Sequence, residues 1–408
     1  MIIKGTAYID GQLKQRYIGI KGGKIEFIKK SVDDEEDVFY WDGVILPAGT
    51  DIHVHFREPG MTHKEDFYTG SLSAAFGGIT TYADMPNTDP KTSTTDRFEK
   101  KKRLADKKSV VDFALYGYVE PGASELCGET DIFKVYMSSS TGTKRSEYED
   151  EVQKIIDRGG KIAYHCEKEE LFSGSAEDLK TYNKCRPVES EVEAIRTLDT
   201  LPGDKHVCHV TTKKAIEASH GHDRTNEVTP HHLFLSEDAF LGPYGKVNPP
   251  LRSQNEQIEL WKALDWGKID IIASDHAPHL EEEKQVDFEE APAGIPGVET
   301  MYPMMMNAVA FGKISLDTVV KATAERPAEF LGIKKGKIEE GYYADLAFFD
   351  FRENIAIEPE DLHSKCGWTP YNSFRAVFPQ HVMSRGEFVV KDFDFVGEKG
   401  RGKYVKEL

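Results

Sequence analysis

The 408 residues carry a formal net charge of −18, with 39% hydrophobic and 30% charged side chains. Such a chain reads as globular and water-soluble, long enough for one large domain with an accessory one, and its charge disfavours nucleic acid or an anionic membrane as partner. No apolar run approaches the ~20 residues that span a bilayer, Met1-Ile2-Ile3-Lys4 opens no signal peptide, and five scattered cysteines make no disulfide framework, so a cytoplasmic setting is expected.

Residues 1–48 hold short alternating strands broken by turns, among them Tyr8-Ile9-Asp10-Gly11 and the run from Tyr17 to Ile28. Residues 341–408 look alike, with strands at Ala344–Asp350, Ala376–Phe378 and His381–Val390. Neither piece is large enough for a secure core alone. The expectation is one small β-sandwich built from both termini around a central domain at 49–340.

At the entry to that centre the apolar run Val44–Gly49 reads as a buried strand leading into Asp51-Ile52-His53-Val54-His55-Phe56-Arg57-Glu58-Pro59-Gly60. Helical spacing follows from Glu65 to Phe76 and stops at Gly77-Gly78. Further strands fit Ile79–Met85, Val110–Tyr116, Ile132–Met137, Lys161–Glu167, His206–Thr212, Asn226–Thr229 and Ile269–Asp275, with helices at Asp96–Lys107, Ser146–Arg158, Val188–Leu198, Thr212–Ser219 and Gln254–Leu264 between them. Eight strands alternating with helices predict an α/β fold, a (β/α)8 TIM-type barrel. An open doubly wound sheet is the structural alternative, and no Gly-rich phosphate fingerprint follows the first strand to support its nucleotide-binding form.

Barrel chemistry sits where strands end. Those ends carry His53 and His55 on the first strand, Lys134 on the fourth, His165 on the fifth, His209 on the sixth and Asp275 on the eighth. Two residues apart, His53 and His55 share one face of a strand. A single histidine is more often a satisfied core or surface residue than a ligand. A whole set converging on one barrel mouth, with a lysine that burial would penalise, reads as a metal centre. In His165-Cys166 and Cys208-His209, strand alternation allows one inward member each, and the histidines are taken as that member.

These segments, with Asp84–Thr88, Phe133–Tyr136, Thr229–Leu233, Val247–Arg252, Ser274–His279 and Gly297–Thr300, resemble the metal-dependent amidohydrolase superfamily and, within it, the dihydroorotases of the bacterial single-function type. The resemblance implies two Zn2+ per subunit, His53, His55 and Asp275 on one ion and His165 and His209 on the other. Lys134, carboxylated by CO2, would bridge them, with Asp131 the alternative bridging carboxylate. An all-N/O donor set suits zinc, with Mn2+ or Co2+ by exchange. It further implies reversible cyclisation of N-carbamoyl-L-aspartate to dihydroorotate in pyrimidine synthesis, by a metal-bridging hydroxide with Asp275 as general acid and base.

Arg57, Asn87 and His279 would clamp the substrate carboxylate, a guanidinium matching it bidentately. A surface ion pair of Arg57 with Glu58 or Glu65 is the plainer reading. Asn248 and the backbone near Ala293-Gly294 would meet the ring. Allantoinases and hydantoinases share the metal ligands and are the alternative activities. A homodimer is the family's common state, and a non-catalytic partner of aspartate transcarbamoylase is the alternative from another class. His231 and His232 are assigned to shaping a loop, His63, His220, His222, His363 and His381 to the surface, and the acidic loop 280–293 to a solvated lid or rim.

Overall fold

The structure, a computed structural model, describes residues 1–33, 38–139, 145, 148–221 and 223–408; His222 lies outside them. Four strands open the chain: β1 (Ile2–Ile9), β2 (Gln12–Lys21), β3 (Lys24–Lys29) and β4 (Val38–Pro47). Nine shorter segments follow: β5 (Gly49–Val54), β6 (Ile79–Asp84), β7 (Asp112–Leu115), β8 (Gly117–Tyr118), β9 (Ile132–Tyr136), β10 (Lys161–His165), β11 (Lys205–Val207), β12 (Arg224–Val228) and β13 (Ile271–Ile272). The chain closes with β14 (Leu346–Ala356), β15 (Arg375–Ser384), β16 (Glu387–Lys391) and β17 (Asp394–Phe395).

Both ends of the chain meet in one eight-stranded sheet, ordered β17-β16-β15-β14-β4-β1-β2-β3. The seam is β4, parallel to β1 on one side and antiparallel to β14 on the other, with Val44 opposite Phe349 and Pro47 opposite Leu346. The Asp10-Gly11 turn between β1 and β2 takes positive φ at both residues (51° and 73°), the geometry that two-residue hairpins favour. A separate apolar core lies against this sheet, with Ile3, Ile18, Ile45, Leu346, Phe348 and Met383 in it. His381, expected at the surface, is buried here, its ring 4.9 Å from Trp41 and 5.3 Å from Phe39. The run Val44–Gly49 is also divided: Val44–Pro47 completes β4, and the strand that delivers His53 starts at Gly49.

The remaining strands are all parallel. One ladder runs β5-β6-β7 and the other β8-β9-β10-β11-β12-β13. β7 and β8 are one course interrupted at Tyr116, whose N–H turns to Asp84 O at 3.0 Å. A parallel bridge between Val54 and His276, with His55 N donating to His276 O at 2.8 Å, joins the eighth course back to the first and closes the barrel. Helices on the outside start where side chains cap them. Asp66 accepts from Tyr68 N and Thr69 N at the head of Phe67–Phe76, and Thr94 caps Thr95–Lys108, whose last turn carries Lys107 and Lys108 against the helix dipole. Among the described residues no helix is long and apolar enough to cross a membrane.

Candidate metal centre and binding pocket

His53 sits one residue before the end of β5 and His55 one residue after it, so both rings reach the barrel mouth. His53 Nδ1 lies 2.5 Å from Glu227 Oε1 on β12, and His55 Nδ1 lies 2.8 Å from Asn87 Oδ1 in the loop after β6. Both acceptors suit an Nδ1–H, so Nε2 is the atom that each ring turns to the mouth. Those nitrogens stand 3.4 and 3.2 Å from Asp275 Oδ1. Ligands held at about 2.0–2.2 Å in a tetrahedron are about 3.3–3.6 Å apart, so this trio has the spacing of donors to one ion.

The electrostatics agree. Burial raises the Asp275 carboxyl, but the His53 and His55 rings outweigh it and hold it well below the usual carboxylate range. Burial and Lys134 pull His53 down, yet Glu227 and Asp275 outweigh them and push it up to about 10. His55 is pulled down to about 3 by burial. The point these groups share is built for positive charge.

The second half comes from the opposite wall. His165 ends β10; its Nε2 lies 2.9 Å from Glu167 Oε2, which the Arg186 guanidinium grips in turn. Glu167 thus takes the Nε2–H and leaves His165 Nδ1 a lone pair, 3.0 Å from His209 Nε2. His209 Nδ1 is buried with no partner among the described residues. Burial lowers both rings, so both are neutral imidazoles. Lys134, on β9, is fully buried with its Nζ 2.8 Å from Cys208 Sγ. Asp131 is exposed, paired with Lys406 at 2.8 Å, and lies away from this pocket.

The expectation that only one of Cys208 and His209 faces inward fails. β11 stops at Val207, and His209 takes φ +36°, so strand alternation no longer applies and both side chains reach the centre. Arg57 (φ +62°) and Asp275 (φ +46°) also occupy the sparsely populated left-handed region, where strain collects at working positions.

Arg57 is buried rather than paired at the surface. Its Nε donates to Pro278 O at 3.1 Å and its Nη2 lies 3.2 Å from His279 Nε2, while Glu58 pairs with Lys108 and Glu65 accepts from Ser364. Burial, with Arg57 beside it, pulls His279 down to about 3. Lys64 Nζ lies 3.1 Å from His279 Nδ1 and 2.8 Å from Glu283 Oε1, which draws one residue of the acidic loop into the rim. Asn248 accepts the Tyr182 hydroxyl. One cavity is lined by all the candidate site residues except His279, and Ala293 and Gly294 line it too. His232 pins its loop through Thr229 Oγ1 (2.7 Å) and Pro249 O (3.2 Å). Sequence reasoning missed Glu227, Glu167, Arg186, Lys64 and Tyr182. The Glu167 of His165-Cys166-Glu167, two residues past a candidate ligand, was the one signal that could have pointed to such a support.

The amidohydrolase family model matches residues 44–389. The chain is 39% identical to the dihydroorotase of Methanosarcina mazei, covering 99% of this chain and 97% of that one. It is also 39% identical to the dihydroorotase of Thermoplasma volcanium, over 98% and 96%. Among solved structures it is similar to an L-hydantoinase (dihydropyrimidinase) from Arthrobacter aurescens, with TM-score 0.93, 30% identity and 99% of both chains covered. A dihydropyrimidinase from Brevibacillus agri matches with TM-score 0.90 and 26% identity, over 99% of this chain and 98% of that one. Matched along its barrel by the family model and along its length by these relatives, the chain belongs to the amidohydrolase family.

Proposed function

We propose that the protein is a metal-dependent dihydroorotase, interconverting N-carbamoyl-L-aspartate with dihydroorotate and water. The observation that carries this reading is the buried Arg57 guanidinium, two residues past His55, lining the same cavity as the candidate metal ligands. Full-length similarity to dihydroorotases supports it.

In this reading His53, His55 and Asp275 would hold one ion and His165 and His209 the other, with Lys134, once carboxylated by CO2, as a further ligand. Divalent zinc, when bound, supplies a Lewis acid for the amide carbonyl and lowers the pKa of water towards ~7. Asp275 takes the proton of the attacking water and hands it to the departing ring nitrogen; the reverse transfer serves cyclisation. Arg57, with His279 and Asn87, binds the side carboxylate and thereby sets which face of the ring meets Asp275. Asn87 Oδ1 meanwhile steadies His55, so one side chain ties the clamp to the centre. Asn248 and the backbone at Ala293-Gly294 flank the ring.

Around this site we take 49–340 as the catalytic domain and 1–48 with 341–408 as one sheet domain, a division supported by β4 ending at Pro47 and β14 starting at Leu346. A cytoplasmic homodimer, and docking to aspartate transcarbamoylase, are the accompanying expectations, for sedimentation to check. The substrate test is a panel. Zinc-replete protein should turn over N-carbamoyl-L-aspartate and dihydroorotate. Hydrolysis of hydantoin or allantoin with neither of these compounds touched would replace the proposal with another cyclic-amide hydrolase activity.

A further inference from the structure

Below the mouth, the barrel interior holds a second polar layer behind the candidate ligands. Glu227 is fully buried on β12, and both its oxygens are engaged. Oε1 lies 2.5 Å from His53 Nδ1 and accepts the backbone N–H of His209 at 3.2 Å. Oε2 lies 2.9 Å from His206 Nε2, and His206 Nδ1 lies 2.9 Å from Thr225 Oγ1. His53, His206 and His209 are each at most 2% exposed. Barrel interiors ordinarily fill with branched apolar side chains, and a carboxylate there needs partners to offset its desolvation.

We infer that Glu227 is a positioning residue shared by both halves of the metal centre, and that His206 holds Glu227 in place. The inference rests on the metal reading proposed above. One oxygen touches a ligand from each half. Through His53 Nδ1 it fixes the tautomer, so that Nε2 faces Asp275; through His209 N it holds a residue whose φ of +36° the chain seldom adopts unaided. The two rings, 5.5 Å between centroids, therefore keep their relative placement by way of a single carboxylate. His206 occupies the other oxygen and stops Glu227 from rotating away. Cys208 Sγ also lies within 4.8 Å of His53 and Glu227 ligand atoms, but it is engaged by Lys134 Nζ and does not compete for His53 Nδ1.

The experiment compares full-length wild type, Glu227→Gln and His206→Phe, each stripped and reconstituted with zinc. Wild type should bind zinc at two positions; wild type holding none would sink the metal reading itself, before any variant is considered. Given wild-type binding, chelator competition should show Glu227→Gln weakened at both positions by about 10- to 100-fold, and His206→Phe weakened in the same direction by less. Metal-free thermal midpoints of the variants, set beside that of wild type, separate lost ligand placement from lost fold. Zinc affinity in Glu227→Gln within about threefold of wild type, or weakening at one position alone, overturns the inference, since a shared support normally costs tenfold or more. Should neither variant fold, cobalt-loaded wild type decides. Its NMR spectrum should contain a slowly exchanging, hyperfine-shifted His53 Nδ1 proton, and ligation through Nδ1 refutes the assignment.

Discussion

Replacing Arg57 by methionine isolates the group on which the substrate assignment depends. The guanidinium is 3% exposed, and its fixed contacts are Nε to Pro278 O at 3.1 Å and Nη2 to His279 Nε2 at 3.2 Å. Neither contact is to a candidate metal ligand, so the substitution should leave zinc content unchanged. In the proposed clamp, it would remove a two-pronged, charge-assisted grip on the substrate carboxylate. Two such bonds at about 1.5–3 kcal/mol each total about 3–6 kcal/mol, or roughly a hundredfold to ten-thousandfold in kcat/KM. The loss should be confined to substrates that carry the carboxylate. Dihydrouracil is dihydroorotate without that group, and whatever rate wild type shows on it should fall by less than about tenfold in Arg57→Met. The assay is therefore a cycle: both substrates, both proteins, with zinc per chain measured alongside. Equal losses on the two substrates, or zinc lost with the guanidinium, would refute the clamp and make Arg57 a structural residue.

Lys101→Met should destabilise the barrel by about 3–5 kcal/mol in urea denaturation. It leaves Asp84, fully buried and 2.6 Å from Lys101 Nζ, without its counter-charge; Lys101→Met combined with Asp84→Asn should recover part of the loss. Burial raises Glu191, beside Arg252, to about 7, above its unfolded value. The folded state therefore holds that proton more tightly: the contribution is full below pH ~4.5 and is lost as pH rises through about 7. Between pH 5 and pH 8 the thermal midpoint should fall more in wild type than in Glu191→Gln; parallel profiles would count against the assignment. Gly294 has φ +136°, and a Cβ there would meet Ala277 O at 2.5 Å. Gly294→Ala should thus raise KM for dihydroorotate while zinc content holds, and an unchanged KM would remove this backbone from the ring site.

Some of this was legible in the residues taken one after another. The alternation of strand and helix, and the histidines and aspartate at strand ends, depend on local periodicity and on chemistry that each segment carries itself, which is why Lys161–Glu167 and Asn226–Thr229 could be placed as strands without any partner in view. Where local periodicity breaks, the same reasoning failed. Cys208 and His209 both face the centre because β11 ends at Val207, and nothing in Cys208-His209-Val210 announces that the backbone turns over there. His381 reads as a polar residue near a turn until Phe39 and Trp41, more than three hundred positions earlier, close over it.

What the sequence determined by itself was the inventory: a barrel-forming rhythm, a metal-ready donor set and an arginine beside it. Tertiary structure alone decided how those groups are held. Val54 and His276 close the ring, β4 finds β14 across some three hundred residues, Glu227 reaches His53 and Glu167 takes the far nitrogen of His165. The reason is physical. A ligand is chosen by its own chemistry, which its identity states outright, whereas its tautomer and aim are set by whichever polar group lies a hydrogen bond away, and that neighbour is brought there only by the closed barrel.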